Sequence, residues 1–132
     1  MGKSKKWDIA QTACEALTED EDVATREMVT MLADKWSLWT MAVLAEAEGP
    51  LRFSRVMDKV EGVSQKSLTK TLRQLERNGL VTREIFAEVP PRVEYSITQM
   101  GLDMLEHVEP LWTWVAKSVK KFQQAQAEFD AR

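Results

Sequence analysis

Ser64-Gln65-Lys66-Ser67-Leu68-Thr69-Lys70-Thr71-Leu72-Arg73-Gln74-Leu75-Glu76-Arg77-Asn78-Gly79 decides how this chain is read. Leu68, Leu72 and Leu75 recur at the four- and three-residue steps of one helical face and so turn inward together. At ~100° per residue, Lys66, Lys70, Arg73 and Arg77 fall near the opposite side, with Ser67 and Gln74 beside them. Ser64 is placed to cap this helix and Asn78-Gly79 to end it. The expected element is a rigid helix, apolar inside and cationic outside.

Upstream, Ser54 can cap a short helix carrying Val56, Met57 and Val60, which Gly62 terminates. Before it, a periodic stretch from about Thr25 to Glu48 places Val29, Leu32, Trp36, Trp39, Val43 and Leu44 at helical spacing, with Asp34 able to cap a restart. Gly49-Pro50 ends that stretch, Gly suiting a left-handed cap. A first helix repeats Trp7, Ala10, Cys14 and Leu17 on one face, and the acidic run Glu19 to Asp22 separates it from the next.

Downstream, residues 80–86 are rich in β-branched and aromatic side chains, Pro90-Pro91 makes a turn, and residues 92–97 alternate, which predicts a β-hairpin. Thr98 then caps a last helix. In it Leu105, Val108, Trp112, Val115, Val119 and Phe122 form a heptad-like seam longer than a small core needs, so it is expected to bind a partner, most simply a second copy.

The expected fold is mainly α with a small β-hairpin, a winged helix-turn-helix with N- and C-terminal dimerisation helices. The helix that runs from Ser64 to Asn78-Gly79 would enter a major groove about 12 Å wide while the hairpin reaches flanking DNA. Ser64, Gln65, Lys66, Ser67 and Lys70 lie at the end that approaches base edges. Arg73 and Arg77 suit phosphates, Arg92 would extend the wing's contact, and Ser54 and Arg55 complete the candidate set. Trp7 and Cys14 join the seam residues at the expected dimer interface.

The 132 residues are enough for one domain, expected as an N-terminal arm and helix over 1–24, a DNA-binding core over 25–97 and a dimerisation helix over 98–132. The net charge of −3 does not suggest a polyanion ligand. Its distribution does: residues 1–51 carry 5 basic and 10 acidic side chains, residues 52–83 carry 8 and 3, and residues 84–132 carry 5 and 8. Phosphate responds to potential within about 10 Å at moderate salt, so a basic stripe on an acidic body can bind it. One cysteine rules out an intrachain disulfide, and the apolar run Met41 to Ala45 is far short of a membrane span, so a soluble, cytoplasmic protein is expected.

Asp34-Lys35-Trp36, Gly49-Pro50-Leu51-Arg52-Phe53-Ser54, Gly62-Val63-Ser64-Gln65-Lys66-Ser67-Leu68-Thr69, Leu72 to Arg83, and Pro90-Pro91-Arg92-Val93-Glu94-Tyr95-Ser96-Ile97-Thr98 together resemble the HxlR-type, MarR-like transcriptional regulators. The resemblance covers about residues 34 to 115. It implies a dimeric bacterial winged-helix protein that binds a palindromic operator through double-stranded DNA contacts, often beside genes for electrophile detoxification, and that dimerises through its terminal helices. Two departures stand out. Many members have Gly-Gly where this chain has Ala33-Asp34, so the helix is expected to run on there. The sensing members' redox cysteine lies about thirteen residues before the Trp, at Val23 here, so Cys14 does not inherit that role.

Cys14 is read first as a small buried hydrophobe and second as a redox switch, since Glu15 beside it opposes a thiolate. His107 with Asp103, Glu106 and Glu109 is a weak metal set, and a solvated helix face is the better reading. Trp36, Trp39, Trp112 and Trp114 are read as packing, with an effector cavity between the dimer helices and the body as the alternative. Lys3, Lys5 and Lys6 suggest a basic arm. One histidine and no Gly-rich phosphate loop leave no basis for an enzyme, and no cofactor is expected. The competing functional class is a winged-helix protein-interaction module that does not bind DNA.

Overall fold

The computed structural model describes residues 5–132, so of the expected basic arm Lys3 lies outside the described residues. Helix α1 spans Lys5–Glu15, α2 Glu19–Leu32 and α3 Ser37–Glu46; strand β1 is Leu51–Arg52, followed by α4 Phe53–Lys59 and α5 Gln65–Arg77. Strands β2 (Val81–Phe86) and β3 (Arg92–Ile97) form the hairpin, and α6 runs from Gln99 to Asp130.

The sheet is antiparallel in the order β1-β3-β2. In β3, Val93, Tyr95 and Ile97 alternate with Arg92, Glu94 and Ser96, as the period of two requires. Tyr95 and Ile97 pack against the core, where Met41, Leu44, Val56, Val60, Leu68, Leu72, Leu75, Leu80 and Val81 are buried. The three leucines of α5 are therefore inward, as their spacing predicts.

Several boundaries differ from the sequence expectation. The acidic run Glu19 to Asp22 is the first turn of α2, where carboxylates favour the positive end of the helix dipole. The Thr18 hydroxyl accepts from the Glu21 N–H at 3.2 Å while the Glu21 carboxylate accepts from the Thr18 N–H at 3.0 Å, a complete capping box. That carboxyl is held below its usual pKa by these bonds, the backbone one foremost.

The stretch Thr25 to Glu48 is two helices, and the chain does not run on through Ala33-Asp34. The Asp34 carboxylate accepts from the Trp36 N–H at 3.1 Å, replacing the backbone partner that a continuous helix would have given that group, and from the Ser37 hydroxyl at 3.3 Å. Helix α3 ends with Ala47 extended, and Gly49 does not adopt the left-handed conformation. Ser54 lies inside the first turn of α4, whose preceding residue Arg52 provides no side-chain cap.

Ser64 does cap α5, its hydroxyl accepting from the Ser67 N–H at 3.0 Å. Positive φ is confined, among the described residues, to Gly62 (87°) and Gly79 (75°), the two turns that bracket α5. In α6 the exposed Pro110 is accommodated without ending the helix, which at 32 residues is roughly 48 Å long.

Candidate nucleic-acid interface

Helix α5 is fixed on the body by its leucines and by buried Thr71, which leaves one side free. Lys66, Lys70, Arg73 and Arg77 are all exposed on that side and line one shallow surface with Thr69 and Gln74. None of the four cations forms an ion pair among the described residues. Unpaired guanidinium and ammonium groups on a rigid helix can approach phosphates and base acceptors without first breaking a contact. Ser64 and Gln65 are exposed at the start of α5, and Ser67 is half-buried. Thr69 was not among the expected residues, although its spacing of three from Lys66 and four from Arg73 marks it.

Ser54 and Arg55 are exposed on α4, the helix preceding α5. Arg92 is placed differently from the α5 cations. Its Nη1 lies 3.1 Å from Glu88 Oε1, its Nε 3.1 Å from Glu94 Oε2, and its Cζ 4.2 Å from the centroid of the Phe86 ring. Phe86 is its cross-strand partner, and Glu94 shares its face of β3.

The seam of α6 divides in two. Leu105 and Val108 are half-buried in the single chain, and Leu105 packs on the core. Trp112, Val115, Val119 and Phe122 are exposed, and so are Leu111 and Trp114. The Trp114 and Phe122 rings meet edge to face with centroids 5.6 Å apart, on either side of buried Ser118. The apolar surface is thus broader than a two-residue heptad seam. Grooves of about 420 and 340 Å³ lie between it and Leu38 of α3.

Helix α1 contributes no buried residue, and Trp7 and Cys14 are exposed. The thiol, expected to be buried, is thus exposed in the single chain. Trp36 is half-buried on the core and stacked on Trp39 at 6.4 Å, while Trp39, Trp112 and Trp114 are exposed in the single chain, at 38%, 51% and 57%.

His107 and Asp103 stand on the exposed side of α6. The imidazole Nδ1 is 2.8 Å from the Asp103 carbonyl oxygen and 3.8 Å from its carboxylate, and the pKa is raised, chiefly by the carbonyl bond and then by the Asp103 charge. No cluster of three or more metal-binding side chains occurs among the described residues. No helix among them is long and apolar enough to cross a membrane.

Residues 31–123, from the end of α2 into the distal half of α6, match a family model described as HxlR-like helix-turn-helix. An uncharacterized HTH-type transcriptional regulator of Methanothermobacter thermautotrophicus is 37% identical over 97 residues, covering 73% of this chain and 72% of its own. The HTH-type transcriptional regulator YtfH of Escherichia coli K12, also uncharacterized, is 36% identical over 95 residues, 72% of this chain and 74% of its own. The solved structure of ytfH from Salmonella typhimurium, a candidate transcriptional regulator, superposes with a TM-score of 0.67 at 33% identity, covering 79% of this chain and 90% of that one. With a family match that long and a winged-helix body whose α5 carries four exposed cations, this chain belongs to the HxlR-like helix-turn-helix family and is a DNA-binding regulator of transcription.

Proposed function

We propose that the chain acts as a homodimer on an inverted-repeat operator, with α5 of each copy in a major groove and the two grooves one helical turn, roughly 34 Å, apart. The observation that carries this is the outer face of α5, where Lys66, Lys70, Arg73 and Arg77 stand exposed and without ion-pair partners among the described residues. Ser64, Gln65, Lys66, Ser67 and Lys70 are nearest the base edges. Arg73, Arg77, Ser54 and Arg55 take the flanking phosphates.

Residues 25–97 serve as the DNA-binding core and 98–132 as the dimerisation helix, joined by α1. Exposed Trp112, Val115, Val119 and Phe122 support this, since apolar surface of that extent on a helix marks an interface. A small-molecule effector fits best in the grooves between α3 and α6, where it would lie between the dimer helices and the body.

Fluorescence anisotropy on duplex DNA at two salt concentrations tests the reading. The Lys66→Ala/Lys70→Ala variant should lose operator affinity, about 1–3 kcal/mol per base-reading contact, whereas Arg77→Ala should weaken all sequences alike and flatten the salt slope by about one. Unchanged affinity in the double variant removes this placement of α5. Absence of any salt-sensitive binding by the wild type favours a protein-interaction module.

A further inference from the structure

We propose that the β2–β3 wing excludes phosphate instead of gripping it, Arg92 being committed to the wing's own charge balance. The inference rests on the DNA-binding reading above. From Val81 to Ile97 the hairpin carries three glutamates and two arginines, a net charge of −1, and one of those arginines, Arg83, lies 3.4 Å from Glu76 of α5. Two of those carboxylates hold the Arg92 guanidinium at 3.1 Å each, and the Phe86 ring covers its face at 4.2 Å, which leaves the side chain 26% exposed.

For Arg92 to take a phosphate it must leave two ion pairs, and Glu88 and Glu94 would be left unneutralised beside the DNA backbone. Glu88 is the one charged residue in the turn 87–91, so the tip itself offers phosphate no cation. Glu84 lies directly across from Glu94 in the strand register and forms no ion pair among the described residues. These charges act over about 10 Å at moderate salt, far enough to reach a duplex docked on α5. The wing then lowers affinity for every duplex regardless of sequence, and counterion release comes from the helices.

The test is a salt titration of full-chain binding to a random-sequence duplex by anisotropy. Glu84→Gln, which leaves the clamp intact, should bind about two- to fivefold tighter at low salt, with the gain vanishing as salt screens it. Arg92→Ala/Glu88→Gln keeps the wing's net charge and should keep the wild-type salt slope, while Arg77→Ala flattens it by about one. A slope flattened in the double variant as in Arg77→Ala, or no tightening in Glu84→Gln, overturns the proposal while DNA binding stands. Should the double variant fail to fold, Glu84→Gln alone decides. Wild-type protein that binds no duplex even at the lowest salt overturns the DNA-binding reading and the wing's role together.

Discussion

The Thr98 hydroxyl donates to the Gly79 carbonyl at 2.7 Å and accepts from the Gly101 N–H at 3.1 Å, so one oxygen joins the end of α5 to the root of α6. The Thr98 N–H adds a bond to the Leu80 carbonyl at 3.0 Å. Thr98→Ala removes the cap and the tie together and should cost about 1–2 kcal/mol. Urea unfolding should show a lower midpoint at unchanged slope, and Thr98→Ser should recover most of the loss.

Gly101 is needed for a close approach, not for unusual backbone angles. A Cβ there would lie 2.5 Å from the Leu80 carbonyl oxygen and 2.7 Å from Ile97 Cγ1. Backbone on one side and a packed strand residue on the other leave little room to yield. Gly101→Ala should therefore destabilise by about 1–3 kcal/mol, despite alanine's better helix propensity. A melting temperature equal to the wild type would contradict that packing.

The proposed homodimer would form through the distal half of α6. Trp112→Ala/Val119→Ala should shift the chain toward monomer in sedimentation velocity while leaving the helical circular dichroism nearly intact, because both side chains are exposed in the single chain. Leu72→Ala should do the opposite. It opens a cavity in the core, costs about 2–5 kcal/mol and acts on folding first.

His107 is the only histidine, so its imidazole resonance can be followed without assignment. Its pKa should lie above the ordinary 6.5, mainly through the Asp103 carbonyl and secondarily through the Asp103 carboxylate. A pKa raised on folding stabilises the folded state fully below the ordinary value, and the contribution is lost as pH rises through the folded value. Asp103→Asn should lower the pKa only in part, since the carbonyl acceptor remains. A resonance titrating at or below 6.5 in the wild type would refute the contact.

The recognition helix was legible because its signal is doubly redundant: three leucines on one face and four cations on the other, with Ser64 and Gly79 as stops. The hairpin and the Thr98 cap were legible for similar reasons. Thr18-Glu19-Asp20-Glu21 carried a capping-box signature that the conspicuous acidity of the run obscured. The break before α3 was harder, since it depends on where one Asp34 oxygen points. Strand β1 has two residues, too few for any period, and exists through its pairing with Tyr95 and Glu94. Arg92 shows the same limit at the site: its charge is visible in the sequence, but its two carboxylate partners become evident only once β3 and the turn are folded.

Strand β2 is the longer of the sheet's two outer strands, and its far side offers backbone donors and acceptors to any extended chain that comes alongside. Arg83 and Glu84 stand exposed in its middle, and Pro90-Pro91 denies the adjoining turn two donors. The charges that shape the wing's dealings with DNA also keep its edge from recruiting further strands. Replacing Arg83 and Glu84 with valine would leave Val81 to Phe86 a continuous β-prone edge and should make the folded protein polymerise through its sheet.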